Sequence, residues 1–178
     1  MIISIGFILL ILFDFSKLFF ENKTANSLFP AGLFCIGFGV YREAVRNRGL
    51  TGAVLTLWRE PFWLAVLIIS VVFLIKTTFI SVSFEDTYIK TGKKPLCDRG
   101  LYGICRHPGF WFMLTASFAF AMAFSTWHVT NAMIKINVLN FLYIVMQDMY
   151  FFPKYIEGYE EYKKRVGFLI PKTRKIRR

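Results

Sequence analysis

Acidic residues are scarce in this chain of 178 residues: 11 Asp and Glu stand against 22 Lys and Arg, for a formal net charge of +11. Cysteine is scarcer still. Cys35, Cys97 and Cys105 make three, an odd number with spacings that fit no zinc motif, so neither a disulfide framework nor a metal site is expected. Histidine occurs twice, and His128, alone at the end of an apolar run, reads as an interfacial residue. There is no internal repeat and no low-complexity tract. No Walker A sequence occurs, and no dinucleotide G-x-G-x-x-G follows a strand, which removes the common nucleotide-binding architectures. The apolar run Ile2–Phe13 has no basic segment before it and no small-residue cleavage site after it, so it is read as a retained helix.

What the chain does have is apolar surface. Hydrophobic residues make up 56%, aromatics 19% with 21 Phe, and the mean hydropathy is +0.49. A water-soluble domain of this size could not hide that much apolar surface, whereas a lipid bilayer accepts it. The basic residues lie between and after the long apolar runs, nine of the 22 at or beyond Lys154. Juxtamembrane charge is placed in this way. The bilayer is therefore the expected partner, and nucleic acid is not.

The expected fold class is all-α: a polytopic membrane helical bundle. A crossing helix needs roughly 20 mostly apolar residues, and five segments qualify: about Ile2–Phe20, Leu28–Tyr41, Phe62–Phe79, Pro108–Val129 and Ala132–Phe152. Asp14 and Lys17 interrupt the first and are spaced to pair. The second carries Gly32, Gly37 and Gly39, which permit close helix packing. Pro61 suits a helix start. The last two segments, separated by a few residues near Trp127–Asn131, should form a helical hairpin. Between the second and third, Arg42–Glu60 is basic, with an apolar insert at Val54–Trp58 suited to the interface. Glu85–His107 reads as a charged loop with Gly92, Pro95 and Gly100, and Lys154–Arg178 as a basic tail, helical to Arg165 and irregular from Gly167. The division expected is residues 1–84, three membrane helices, and 85–178, a loop, hairpin and tail that carry the chemistry. The basic residues favour a cytosolic tail and loop, although Arg42, Arg46, Arg48 and Arg59 of the second connection oppose it locally. Asn22-Lys23-Thr24 has the form of a glycosylation sequon but falls on the cytosolic side of this topology.

Three clusters could carry chemistry. The first runs from Leu96 to Trp111. Pro108 fits a first helical turn, and the free N–H groups there, with Arg106 and His107, make a site for a carboxylate or phosphate; the same residues would equally mark a membrane boundary. The second is a polar face on the fifth segment, where 100° per residue brings Asn137, Asn140, Gln147 and Asp148 into one arc. Such a stripe should face the bundle interior, as a binding pocket or as interhelical hydrogen bonds. The third, Tyr155–Pro171, repeats Tyr155, Tyr159 and Tyr162 at helical spacing, as an amphipathic interfacial helix also would.

In this order and spacing the three clusters resemble the isoprenylcysteine carboxyl methyltransferase family and its phospholipid methyltransferase relatives, over about residues 94–172. The family's L-x-x-x-G-x-Y-x-x-x-R-H-P-x-Y is met by Leu96, Gly100, Tyr102, Arg106, His107 and Pro108, with Phe110 for the final Tyr. Its later F-G-x-E-Y-x-x-Y-x-x-x-V-P-x-x-I-P is met by Tyr159, Tyr162, Val166, Ile170 and Pro171. Gln147 and Asp148 stand where the family has two glutamates, Gly167 where it has a Pro, and Tyr143 and Ile144 where it tends to have an arginine. The resemblance implies a methyltransferase that uses S-adenosyl-L-methionine on a lipophilic acceptor, a prenylcysteine carboxylate or a lipid, at a site facing the cytosol. The cofactor contacts it implies fall on Leu96, Cys97, Tyr102, His107, Pro108, Gly109, Phe110, Gln147, Asp148 and Tyr159. Asp148 would orient or deprotonate the acceptor, and Arg106 would lie beside the methionyl carboxylate. Two other readings stay open: a membrane reductase of the sterol type using NADPH, and a non-enzymatic membrane protein.

Overall fold

A computed structural model describes residues 1–19, 23–46, 48–80 and 96–172, without the side chains of residues 23, 24, 80 and 155. Gly92 and Pro95 of the expected loop, Asn22 of the sequon, the Tyr155 side chain and the tail beyond residue 172 therefore lie outside the described residues. The described chain is all-helical. It comprises α1 (Ile2–Phe19), α2 (Leu28–Val45), α3 (Gly49–Arg59), α4 (Pro61–Ile75), α5 (Pro108–Phe124), α6 (Trp127–Met146), α7 (Phe152–Tyr155) and α8 (Tyr159–Arg165). Among the described residues the only β pairing is an isolated parallel bridge between Cys105 and Gly167.

Helix α1 packs along α2 because both present glycine at the contact. A Cβ on Gly6 would stand 2.7 Å from the Gly32 carbonyl oxygen, and one on Gly39 would meet Ile3 Cγ1 at 2.5 Å. Gly37 faces open space and plays no part in this contact. From α1, Ile3, Phe7, Leu10 and Phe13 recur at helical spacing and are buried against Phe29 of α2 and Val129, Met133, Ile136 and Tyr143 of α6. Helix α5 buries Ala116, Ser117, Ala119, Ala121 and Ala123, small residues that let α4 and α6 approach it closely.

The outward faces carry large apolar side chains: Phe34 is 71% exposed, Phe62 67%, Ile69 58% and Val138 54%. A soluble monomer does not expose apolar surface on this scale. Four helical stretches are long and apolar enough to cross a bilayer: Ile2–Phe19, Ala25–Val45, Pro61–Phe79 and Trp127–Lys154. These are the helices of a multi-pass membrane protein. Pro108–Phe124, with 17 residues, is a shorter apolar helix, at the lower end of the range of about 17–25 residues that a crossing requires.

Two boundaries differ from the sequence expectation. Helix α5 stops at Phe124 because Ser125 is left-handed, φ 46°, and Thr126 is extended. The connection is therefore Ser125–Thr126, and Trp127–Asn131 begins α6. The apolar insert of the second connection belongs to a complete helix, α3, whose Leu50, Val54, Leu55 and Trp58 are exposed. Arg48 before it donates from Nη2 to the Phe124 carbonyl at 3.2 Å, a cation at the C-terminus of α5.

Candidate functional site

Proline shapes both ends of the site. Pro108 starts α5, where its missing N–H costs nothing, and so fixes Arg106 and His107 just ahead of the helix. Pro153 cannot donate an i→i−4 bond. Just before it the α6 helix widens into a π turn, Gln147–Phe151, with the Phe152 N–H reaching back to the Gln147 carbonyl. Turns of this kind re-aim side chains and are frequent at functional sites.

The π turn faces Asp148 toward Arg106. Arg106 Nε donates to Asp148 Oδ1 at 2.6 Å and Nη2 to Oδ2 at 2.9 Å, a bidentate pair with both partners buried. Tyr159 Oη donates to the same Oδ1 at 2.7 Å. Arg106 Nη1 donates to the Val166 and Lys163 carbonyls at 2.5 and 3.4 Å, and the Arg106 backbone N–H donates to the Gly167 carbonyl at 2.9 Å. Tyr162 Oη donates to the Tyr102 carbonyl at 2.5 Å and Tyr102 Oη to the Thr77 carbonyl at 3.0 Å. These bonds draw the R-H-P segment, the end of α6, the end of α4 and the α8 segment into one knot. Gly167 is required within it: a Cβ there would stand 1.8 Å from the Ile170 carbonyl oxygen.

His107 is buried beside this knot. Its ring stacks on Phe152 with centroids 5.7 Å apart and meets Phe168 edge-on at 5.0 Å. Nε2 lies 3.4 Å from Asp148 Oδ1 without a hydrogen bond to it and has no other partner. Burial, ahead of the neighbouring Arg106 charge, holds its pKa below the ordinary value despite Asp148, so the ring is neutral. Burial likewise raises the Tyr102 and Tyr162 phenols, and burial with the adjacent Asp148 carboxylate raises Tyr159; all three remain protonated donors.

In front of the knot opens a cavity of about 630 Å³, within the range of small-molecule and cofactor sites. Of the residues expected at a cofactor, Leu96, Cys97, Tyr102, Arg106, His107, Gly109, Phe110, Gln147 and Tyr159 line it. Pro108 is buried and does not. Asp148 also stands behind the wall, and this corrects the expectation of a carboxylate free to orient or deprotonate an acceptor: its oxygens are taken by Arg106 and Tyr159. Arg106 reaches the wall, but its guanidinium is held by Asp148 and two carbonyls and is not a free cation. Among the described residues, Arg99 is the wall cation without a partner. The polar stripe on α6 divides in the same way: Asn140 and Gln147 reach the cavity, while Asn137 Nδ2 donates to the Met133 carbonyl of its own helix at 2.8 Å.

The carboxylate that sequence reading missed is Asp14. It is 3% exposed, lines the cavity, and accepts from Tyr143 Oη at 2.7 Å and Gln147 Nε2 at 2.9 Å. The signal was present: a charge inside a 20-residue apolar run is expensive and marks a functional candidate, but the nearby Lys17 offered a local explanation. Part of the apolar wall comes from outside the expected 85–178 unit, which itself contributes Leu96, Phe110, Met113, Ile144, Phe152 and Ile156. Phe7, Leu10 and Phe13 of α1, Phe29, Leu33 and Ile36 of α2, and Leu74, Ile75 and Phe79 of the α4 stretch supply that part. Comparison with family models, with curated proteins and with solved structures finds no match to this chain.

Proposed function

We propose that this protein is a membrane methyltransferase of the isoprenylcysteine carboxyl methyltransferase type, transferring the methyl group of S-adenosyl-L-methionine to a lipophilic acceptor. The observation that carries the reading is the convergence of Arg106 and His107, Gln147 and Tyr159 on one cavity lined by both polar and apolar residues. The chain would cross the membrane five times, α5 and α6 forming a hairpin, with the basic tail and the Arg106 and Tyr159 wall of the cavity on the cytosolic side; the nine Lys and Arg from Lys154 onward support that orientation.

The residues present fit the cofactor. Bound there, it supplies an electrophilic methyl group on a sulfonium. Aromatic faces of Phe110, Tyr102 and Tyr159 at the wall suit a sulfonium cation, and Arg99 is the unpaired cation for a carboxylate. Asp14 then faces the acceptor. If the acceptor is an amine or hydroxyl, Asp14 would hold it by hydrogen bonding and would take up the proton that it gives up on methylation. A carboxylate acceptor beside Asp14 would suffer like-charge repulsion, so the wall favours a lipid amine or hydroxyl. The acceptor's chain runs along α1 from Asp14 toward Phe7, about 10 Å at 1.5 Å per residue, and positioning supplies much of the rate.

The test is calorimetry of the purified full chain in detergent with S-adenosylmethionine and, in parallel, NADPH, followed by tritiated methyl transfer into lipid extracts and farnesyl-cysteine analogues. Saturable cofactor binding and labelled lipid are expected. Binding of NADPH alone would move the protein to the reductase reading, and binding of neither would end both.

A further inference from the structure

At the far end of the bundle a second cleft, about 180 Å³, is formed by the first residues of α1, the end of α2 and the start of α6. None of its residues lines the large cavity. Helix α2 contributes Gly39, Arg42, Glu43 and Arg46, and α6 contributes His128, Asn131, Ala132 and Lys135. Both sets step by three, four and seven residues, so each is one continuous helix face, and the two faces oppose one another. The small members, Gly39 and Ala132, form the floor and the long polar ones the rim.

The rim is cationic and organised. Glu43 accepts from Arg42 Nη2 at 3.0 Å and from Arg46 Nη1 at 3.4 Å, which holds two guanidinium groups together while neutralising one of them. Lys135 and His128 have no polar partner among the described residues. Three side-chain cations thus face one carboxylate, and the surplus donors are guanidinium, ammonium and amide. That donor set recognises a phosphate group. The volume is too small for a nucleotide, since drug-sized ligands occupy about 300 Å³ or more. Beside the cleft and within one turn of its rim residues, Phe38 and Tyr41 on α2 and Ile134 and Val138 on α6 are exposed, apolar surface suited to acyl chains.

We infer that this cleft is a binding site for the phosphate of an anionic glycerophospholipid, in the leaflet opposite the large cavity. The headgroup phosphate sits between Arg42, Arg46 and Lys135, and its acyl chains descend along the apolar faces of α2 and α6. The site is independent of what the large cavity binds.

The experiment uses the purified full chain in detergent, titrated with short-chain dihexanoyl phosphatidic acid, dihexanoyl phosphatidylcholine or inorganic phosphate, and read by thermal unfolding and by native mass spectrometry of retained lipid. Saturable stabilisation by phosphatidic acid is expected, with at least tenfold weaker apparent affinity in Arg46→Gln/Lys135→Gln and reduced affinity at high salt. Lys163→Gln/Lys164→Gln, which removes the same charge from the other end of the protein, should bind as the parent does. Inorganic phosphate binding as tightly as the lipid would uphold the site and assign it to a soluble phosphate. Equal stabilisation by phosphatidylcholine, or an unchanged affinity in Arg46→Gln/Lys135→Gln, would overturn the inference and leave the arginines as interfacial anchors.

Discussion

Two buried carboxylates stand at the large cavity, and they are used in opposite ways. Asp148, behind the wall formed with the R-H-P and α8 segments, is bonded to a guanidinium and a phenol and does not line the open space, where Asp98 is the lining carboxylate of that segment. Asp14, on the wall formed by α1, lines the cavity and is held there by Tyr143 and Gln147. A buried ion pair with both carboxylate oxygens engaged fixes geometry, while a carboxylate on a cavity wall is placed to meet a ligand. Resemblance in sequence pointed to the first of these as the reactive group, whereas of the two only the second lines the cavity.

The sharpest way to break the comparison is to remove each carboxylate in turn. Asp148→Ala leaves Arg106 buried without its counter-ion and should cost about 3–5 kcal/mol, read as equilibrium unfolding in mixed detergent. Arg106→Met/Asp148→Leu should recover most of that loss. If Asp14→Asn destabilised the protein equally, the contrast would collapse. Instead, Asp14→Asn should lower methyl transfer by roughly 10²-fold or more while S-adenosylmethionine affinity stays within about threefold and stability within about 2 kcal/mol. A change in cofactor affinity with kcat intact would place Asp14 on the cofactor side.

Two smaller effects sharpen the account of the knot. Gly167→Ala puts a Cβ against the Ile170 carbonyl and should cost about 1–3 kcal/mol as an overpacking strain, with Trp111, whose Nε1 donates to the Leu169 carbonyl at 2.9 Å, reporting the shift by fluorescence. His107 gives a pH dependence. Its pKa is lowered in the folded state, so at acid pH the unfolded chain takes up the extra proton. Its contribution is complete above the ordinary value of 6.5 and is lost as pH falls below it. The slope should be at most about 1.4 kcal/mol per pH unit, and His107→Gln should abolish that component in unfolding curves between pH 7 and 5.

Much of the fold was legible because lipid imposes a simple rule on sequence. Phe62–Ile75 carries no charge and Pro61 marks its start, and the helix is found there. Gly32 and Gly39 advertised a close approach, and the structure uses both. The end of α5 was less legible, since the left-handed Ser125 breaks a run that stays apolar on either side. In the site, nine residues singled out by pattern do meet at one cavity wall. The direction of Asp148 was not readable, because a regular 100° step places it with Gln147, and the π turn before Pro153 rotates it away. Nor was Asp14, whose partners lie 129 and 133 residues along the chain.

The amino-acid sequence by itself determined the solvent this protein lives in, the helical class that solvent demands, and the segments at which polar groups gather. Each of these follows from local composition, because an unbonded backbone cannot sit in hydrocarbon. Only the tertiary structure decided which charge is locked and which is presented, and that α1, α2 and the α4 stretch join the C-terminal half in furnishing the apolar wall. Those outcomes depend on distances between residues far apart in the chain, set by glycine contacts, a proline-induced turn and a single bidentate pair, and local pattern carries no record of them.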